Sequence, residues 1–295
     1  MKILLLGKNG QVGWELQRAL APLGDVIALD RYSVDFCGDL TNPEGITNSV
    51  RDIKPDVIVN AAAYTAVDKA ESDLQNAELI NAASVEALAI AARDVNALLV
   101  HYSTDYVFDG SGERPWSEDD KTSPLNAYGK TKRQGEEAIV KHAPNYLIFR
   151  TSWVYAAKGN NFAKTMIRLA QERESLSVIN DQFGAPTGAE LIADCTAHAI
   201  RTTLAEPEKS GIYNLIASGV TTWHAYADLV IAHVRGKGLP IKATAINTVD
   251  TSAFPTPAKR PLNSRLNTSK FTTAFNLTLP EWKVGVIRML DEIYH

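Results

Sequence analysis

The sequence predicts an α/β protein built on a doubly wound parallel sheet, with a smaller α/β region toward the C-terminus. Three observations carry that reading. Short runs rich in Val, Ile and Leu alternate with longer amphipathic stretches, the order of repeated strand–helix–strand units. The runs are almost continuously apolar rather than alternating, as in strands covered by helices on both faces. The first run passes straight into a loop with glycines at positions 7, 10 and 13, and then into a helical pattern.

Each element follows from a local signal. The run 2–6 is the first expected strand and 11–21 the first helix; 26–29 and 57–60 are the next two strands. A helix is expected over 43–53, with Thr41 and Glu44 at capping-box spacing and Pro43 in its first turn. A helix over 72–93, a strand at 98–102, a helix over 126–141 and a strand at 147–150 complete this half. Beyond residue 155 the pattern loosens into a strand at 176–180, a Gly- and Pro-rich loop over 183–188, and helices over 189–204, 222–234 and 281–294. Pro255, Pro257 and Pro261 make 251–263 too proline-rich for regular structure, so it reads as a positioned loop.

Composition narrows the function classes. Apolar residues make up 45% of the 295 and charged residues 22%, which is ordinary for a globular chain and argues against disorder. A formal charge of −4 gives no overall attraction to nucleic acid or anionic membrane, so phosphates would have to be held by local groups. Two distant cysteines, Cys37 and Cys195, suggest neither a disulfide framework nor a zinc site, and the six histidines contain no HxxxH or HExxH pair. The opening apolar run, Ile3 to Leu6, is shorter than the roughly 7–15 residues of a secretory segment or the about 18 of a membrane span. A cytoplasmic protein with no nucleic-acid or membrane partner is expected.

The loop Gly7-Lys8-Asn9-Gly10-Gln11-Val12-Gly13 has the spacing that a pyrophosphate cradle needs: a tight turn, close backbone approach, and close helix–strand packing. The following helix would offer free N–H groups and its positive dipole end to the phosphates. This makes the sheet Rossmann-type, with a nicotinamide dinucleotide as the expected ligand. Asp30, at the end of the second strand, is placed to bind the adenosine ribose hydroxyls and favours NADH; Arg31 beside it would accept a 2′-phosphate and favours NADPH. Asp39, Leu40, Ala62, Ala63 and Tyr64 lie along the expected cofactor path. Residues 1–155 are thus expected to bind the dinucleotide and 156–295 mainly the substrate, across an intertwined boundary.

Tyr128 and Lys132 stand four apart on the helix expected over 126–141, so they share a face. A free phenol, with a pKa of about 10, is a poor acid–base partner at neutral pH, and a neighbouring ammonium is expected to lower it. Lys132 can also hold the nicotinamide ribose hydroxyls. Ten tyrosines make such a pair easy to meet by chance, but this one follows the fourth strand's loop, where ligands gather in such sheets. Thr104, at that strand's end, can bond the same carbonyl oxygen and steady developing alkoxide charge. His101 reads as a satisfied core residue rather than an acid.

The GxxGxxG loop, Asn60-Ala61-Ala62, Thr104 and PxxxYxxxK over 124–132 resemble the extended short-chain dehydrogenase/reductase superfamily. Within it, HYSTDYVFDG at 101–110, RTSWVY at 150–155, GNNF at 159–162, DQFGAPT at 181–187 and KRPLNS at 259–264 resemble the dTDP-4-dehydrorhamnose reductase family over essentially the whole chain. That resemblance implies reduction of the 4-keto group of dTDP-4-dehydro-L-rhamnose to dTDP-L-rhamnose, with hydride from NADPH or NADH and a proton from Tyr128. It implies a sugar pocket of Thr104, Asp105, Trp153 and Asn161, the indole stacking on the deoxysugar's apolar face. Arg260 would hold the nucleotide diphosphate through its planar donors. It further implies a homodimer bridged by Mg²⁺ through Glu15, Glu190 and Glu292.

Other readings stay open on the residues alone. A 4,6-dehydratase needs a second carboxylate where this chain has Tyr106, which counts against dehydration. Tyr128 and Thr104 would serve a nucleotide-sugar 4-epimerase equally well. Regulatory subunits that resemble this reductase family work as binding modules, although the Tyr–Lys–Thr set is complete here.

Overall fold

The computed structural model describes residues 1–294. Six strands form the central sheet: β1 (Lys2–Leu6), β2 (Asp25–Leu29), β3 (Val57–Asn60), β4 (Leu98–Thr104), β5 (Tyr146–Thr151) and β6 (Gly211–Asn214). Their spatial order is β6-β5-β4-β3-β1-β2, and every pairing is parallel. The chain steps from β1 outward to β2 and then returns to β1's other side for β3. That reversal opens a crevice at the carboxyl ends of the strands, where such sheets bind ligands.

The near-continuous apolar strands have the predicted cause. Ile3, Leu5, Val59, Val100 and Phe149 point to one face, against Leu16 and Leu20 of helix Gln11–Leu20 and Ile192 and Ile200 of helix Ala189–Ala205. Leu4, Leu6, Ile58, Leu99 and Ile148 point to the other, against Ile46 and Val50 of helix Pro43–Ile53 and Val85 and Leu88 of helix Ser84–Asp94. Alternation along a strand therefore separates two cores rather than core from solvent.

The structure departs from the sequence reading at several places, among them strand Ala245–Val249 and helix Ser269–Phe275, which were not foreseen. Helix Pro43–Ile53 is capped by Asn42, whose side chain accepts from Gly45 N, while Thr41 bonds back to Asp39. The long helix expected over 72–93 contains a π turn, Leu79–Ala83, which brings Asn81 between the backbone of Tyr64 and the Thr131 hydroxyl. Helix Phe162–Glu172 was not foreseen, although Ala163, Ile167 and Ala170 form its buried stripe. Edge strand β6 was also missed: it has four residues, and Ile212 is its only aliphatic.

The rest of the C-terminal half gathers round an aromatic cluster in which Tyr226 touches Phe162 and Trp282, joining helices Phe162–Glu172, Trp223–Gly236 and Trp282–Ile293. Among the described residues no helix is long and apolar enough to cross a membrane.

Candidate active site

The glycine loop closes tightly on its surroundings. Gly7 leaves β1 at φ +85°, and a Cβ on it would lie 2.8 Å from Ala62 N at the end of β3. A Cβ on Gly13 would run into the Gly7 carbonyl oxygen, so the first helix can approach the strand only through glycine. The Asp30 carboxylate ends β2, accepts from Tyr32 N at 2.9 Å and lies 3.9 Å from Lys8 Nζ. The Tyr32 N–H is the chief influence holding it below the ordinary carboxylate range. A glycine cradle, a helix N-terminus and a carboxylate just after the second strand suit a dinucleotide.

From this cradle a cleft of about 680 Å³ runs along the carboxyl ends of the strands. Of the expected cofactor residues it is lined by Gly7, Gly10, Gln11, Val12, Asp30, Arg31, Asp39, Leu40, Ala62 and Ala63; of the expected catalytic and substrate residues, by Thr104, Asp105, Tyr128, Lys132, Trp153 and Arg260. Residues far apart in sequence thus share one cavity.

The helix carrying Tyr128 and Lys132, Ala127–His142, starts where the sequence places it. Asn126 caps it by accepting from Gly129 N at 2.8 Å and donates through Nδ2 to Lys259 O at 2.8 Å, tying the Arg260 loop to the same point. A Cβ on Gly129 would strike the Tyr106 carbonyl, and this close fit brings the Tyr106 and Tyr128 rings edge to face, 5.6 Å between centroids.

The expected lowering of the Tyr128 pKa by Lys132 is not what the structure gives. Burial and the nearby Asp105 push the phenol above its ordinary range, and only the Thr104 hydroxyl opposes them. Lys132 Nζ instead donates to Tyr102 O at 2.6 Å and lies 3.0 Å from His101 Nε2. Burial brings the Lys132 pKa down to about 8. Tyr128 is therefore held neutral, the form that a proton donor needs. Asp105 is pushed by burial up to about 6, a rise that the nearby Ser264 and Thr104 hydroxyls partly offset; its Oδ1 accepts from Thr104, and its Oδ2 makes no hydrogen bond of acceptable geometry.

Three expected residues fall outside the cleft lining. Gly13 packs the helix on the loop. Tyr64 turns its hydroxyl to Asp73 Oδ2 at 2.9 Å. Asn161 is the N-cap of helix Phe162–Glu172, accepting from Lys164 N and donating to Ala156 O at 2.7 Å, which leaves its amide engaged in structure. Trp223, unmarked by the sequence reading, lines the cleft and stacks on Trp153 with centroids 3.6 Å apart. Trp153 itself has φ +49°, and a Cβ on Gly184 would come within 2.8 Å of its ring. Its indole is thus a fixed wall of the cleft.

The family model described as RmlD substrate binding domain matches residues 1–295. The dTDP-4-dehydrorhamnose reductase of Escherichia coli K12 is 64% identical over 294 residues, covering 100% of this chain and 98% of that protein. The chain belongs to the dTDP-4-dehydrorhamnose reductase family. The reductase of that name from Burkholderia thailandensis is 49% identical over 292 residues, covering 97% of each. Among solved structures, the dTDP-4-dehydrorhamnose reductase of Bacillus anthracis in complex with NADP has a TM-score of 0.90 at 34% identity, covering 99% of both chains.

For a member of this family, the metal ligands implied by resemblance are only half assembled. Glu15 and Glu292 are near enough to help raise the Glu190 pKa, which burial raises most, while Arg288 opposes. Arg18 lies 3.5 Å from Glu15, and Arg288 lies 3.7 Å from Glu190. Among the described residues no group of three His, Cys, Asp or Glu side chains could hold a metal ion.

Proposed function

We propose that this reductase family member converts dTDP-4-dehydro-L-rhamnose to dTDP-L-rhamnose, using NADPH or NADH. The observation that carries the reading is the meeting of Thr104, Tyr128 and Lys132 in the cleft that begins at the glycine cradle. The bound nicotinamide supplies the hydride for C4. Tyr128, neutral through burial, gives its proton to the carbonyl oxygen as charge develops there. Thr104 turns its hydroxyl from Asp105 to the same oxygen.

The unpartnered Oδ2 of Asp105 accepts a sugar hydroxyl, and the Trp153–Trp223 stack covers the apolar side of the deoxysugar. Arg260, now 2.7 Å from Asp68, exchanges that carboxylate for the diphosphate. Asp30 disfavours and Arg31 favours a 2′-phosphate, which supports use of both cofactors, and the Bacillus anthracis relative binds NADP. The proximity of Glu15, Glu190 and Glu292 is what supports a homodimer sharing Mg²⁺.

Stoichiometry tests the reading. The ketosugar should consume one equivalent of NAD(P)H and give one 4-hydroxy sugar, whereas an epimerase or dehydratase recycles its cofactor. Tyr128→Phe should lower kcat by about 10²–10⁴; unchanged turnover would remove Tyr128 from the chemistry.

A further inference from the structure

Behind Lys132 lie two polar side chains, Asn60 and His101, each about 99% buried, that the proposed chemistry does not use. Asn60 and His101 are register partners on β3 and β4. Asn60 Oδ1 lies 3.1 Å from Ala62 N, Asn60 Nδ2 lies 3.1 Å from His101 Nδ1, and His101 Nε2 lies 3.0 Å from Lys132 Nζ.

The first link fixes the polarity of the rest. A backbone N–H can only donate, so the Asn60 oxygen must face Ala62. The amide hydrogens of Asn60 then face the imidazole, and Nδ1 must accept. A neutral ring with Nδ1 unprotonated carries its hydrogen on Nε2, aimed at Lys132 Nζ. An ammonium has no lone pair to receive it; an amine has one, and keeps two hydrogens, one of which serves Tyr102 O. Reversing the chain would set two donors against each other at Ala62 N, where Gly7 is packed within Cβ contact distance.

We propose that His101 is a positioning residue that tunes Lys132: its Nε2–H bond is made only to the neutral amine and so favours that form. The inference rests on the catalytic reading of Tyr128 and Lys132. Tyr128 loses a proton at each turnover and must regain one. A Lys132 ammonium gives that proton to the phenolate, directly or through an intervening hydroxyl, and becomes the amine that His101 caps. The amine then takes a proton from water, and the His101 N–H bond is never broken. Such an exchange is efficient only when the lysine titrates near the working pH.

Few ionisable groups surround Lys132. Glu136, on its own helix, favours the ammonium, but Arg150 of β5 and Arg133 engage that carboxylate. Tyr128 and Asp105 share the cleft wall, and the adjacent helical segment contributes the uncharged Asn81, bound to Thr131. Burial, followed by the charge of Lys132, holds His101 itself well below the ordinary histidine range.

The test uses the full chain, free of cofactor. Nitrogen-15 imidazole spectra should place His101 in the Nε2–H tautomer from pH 6 to 9 without forming imidazolium. An Nδ1–H tautomer, or an ordinary histidine titration, would overturn the proposal. The carbon-13 shift of Lys132 Cε, assigned through Lys132→Arg, should report an ionisation that rises by one pH unit or more in His101→Gln, whose carbonyl accepts from the ammonium. An equal midpoint in both proteins would also overturn it. If His101→Gln fails to fold, the tautomer of the unaltered chain decides alone. Neither readout needs turnover, so failure to reduce the ketosugar would sink the substrate reading and leave this result standing.

Discussion

Arg150 and Glu136 are joined by two hydrogen bonds, Nε to Oε1 at 2.9 Å and Nη2 to Oε2 at 2.8 Å, behind the helix that carries Tyr128 and Lys132. Burial alone would raise the Glu136 carboxyl, but Arg150, with Ser103 and Arg133, outweighs it and the pKa lies below the ordinary value. The pair fastens that helix to β5. Removing one partner strands a buried charge, so Arg150→Met should cost about 3–5 kcal/mol of unfolding free energy. Arg150→Met with Glu136→Met should recover a large part of that. Urea denaturation of the unaltered protein, the two single variants and the double variant checks this, and a double variant as unstable as the sum of the singles would contradict it.

Asp105 makes stability fall as pH rises. Its folded-state carboxyl titrates at about 6, against about 4 in an unfolded chain, so the folded protein holds the proton more tightly between those values. Above that window the ionised, buried carboxylate opposes folding by on the order of 2–3 kcal/mol. Asp105→Asn should therefore raise Tm at pH 7.5 and flatten the dependence between pH 4 and 6. It should also raise KM for the sugar nucleotide, because Oδ2 is the free acceptor. Thermal unfolding across that range and steady-state kinetics read both effects.

Arg260 and Asp68 form an ion pair at 2.7 Å that a diphosphate has to displace. Arg260→Ala should raise KM for the sugar nucleotide roughly tenfold or more, the size of a lost charge-assisted hydrogen bond. Arg260→Lys should recover only part, since an ammonium lacks the paired donors. Asp68→Asn should lower KM. A higher KM in Asp68→Asn would place that carboxylate on the substrate's side.

Gly13 sits outside the cleft yet shapes it. Gly13→Ala pushes a methyl group against the Gly7 carbonyl, so the loop must move away from the phosphates. NADPH should bind at least about tenfold more weakly, given that 1.4 kcal/mol is tenfold. Fluorescence titration reads this directly, and an unchanged Kd would mean that the cradle does not bind the pyrophosphate.

The sheet was legible because β1, β3 and β5 bury both faces and so carry unbroken apolar runs. β6 was not: Gly211 and Asn214 at its two ends disfavour a strand, the two residues between them are too short a run to read, and its place is set by pairing with β5. Thr41 was chosen as cap from its spacing to Glu44, but Asn42 is closer to the helix and competes for the same N–H groups. Tyr128, Lys132 and Thr104 could be read from local spacing and position. The Asn60–His101–Lys132 chain could not, since it depends on the register of two strands and an amide orientation fixed by a backbone N–H. Trp223 comes to the cleft only through its stack on Trp153, across 70 residues of chain.

Reduction with NADPH carrying deuterium at the transferable C4 position of the nicotinamide tests the central assignment most directly. Proton NMR of the product from dTDP-4-dehydro-L-rhamnose should show one deuterium at sugar C4 for each cofactor oxidised, and almost no product with Tyr128→Phe. A sugar without the label, or an undiminished yield from Tyr128→Phe, would contradict hydride delivery to a carbonyl protonated by Tyr128.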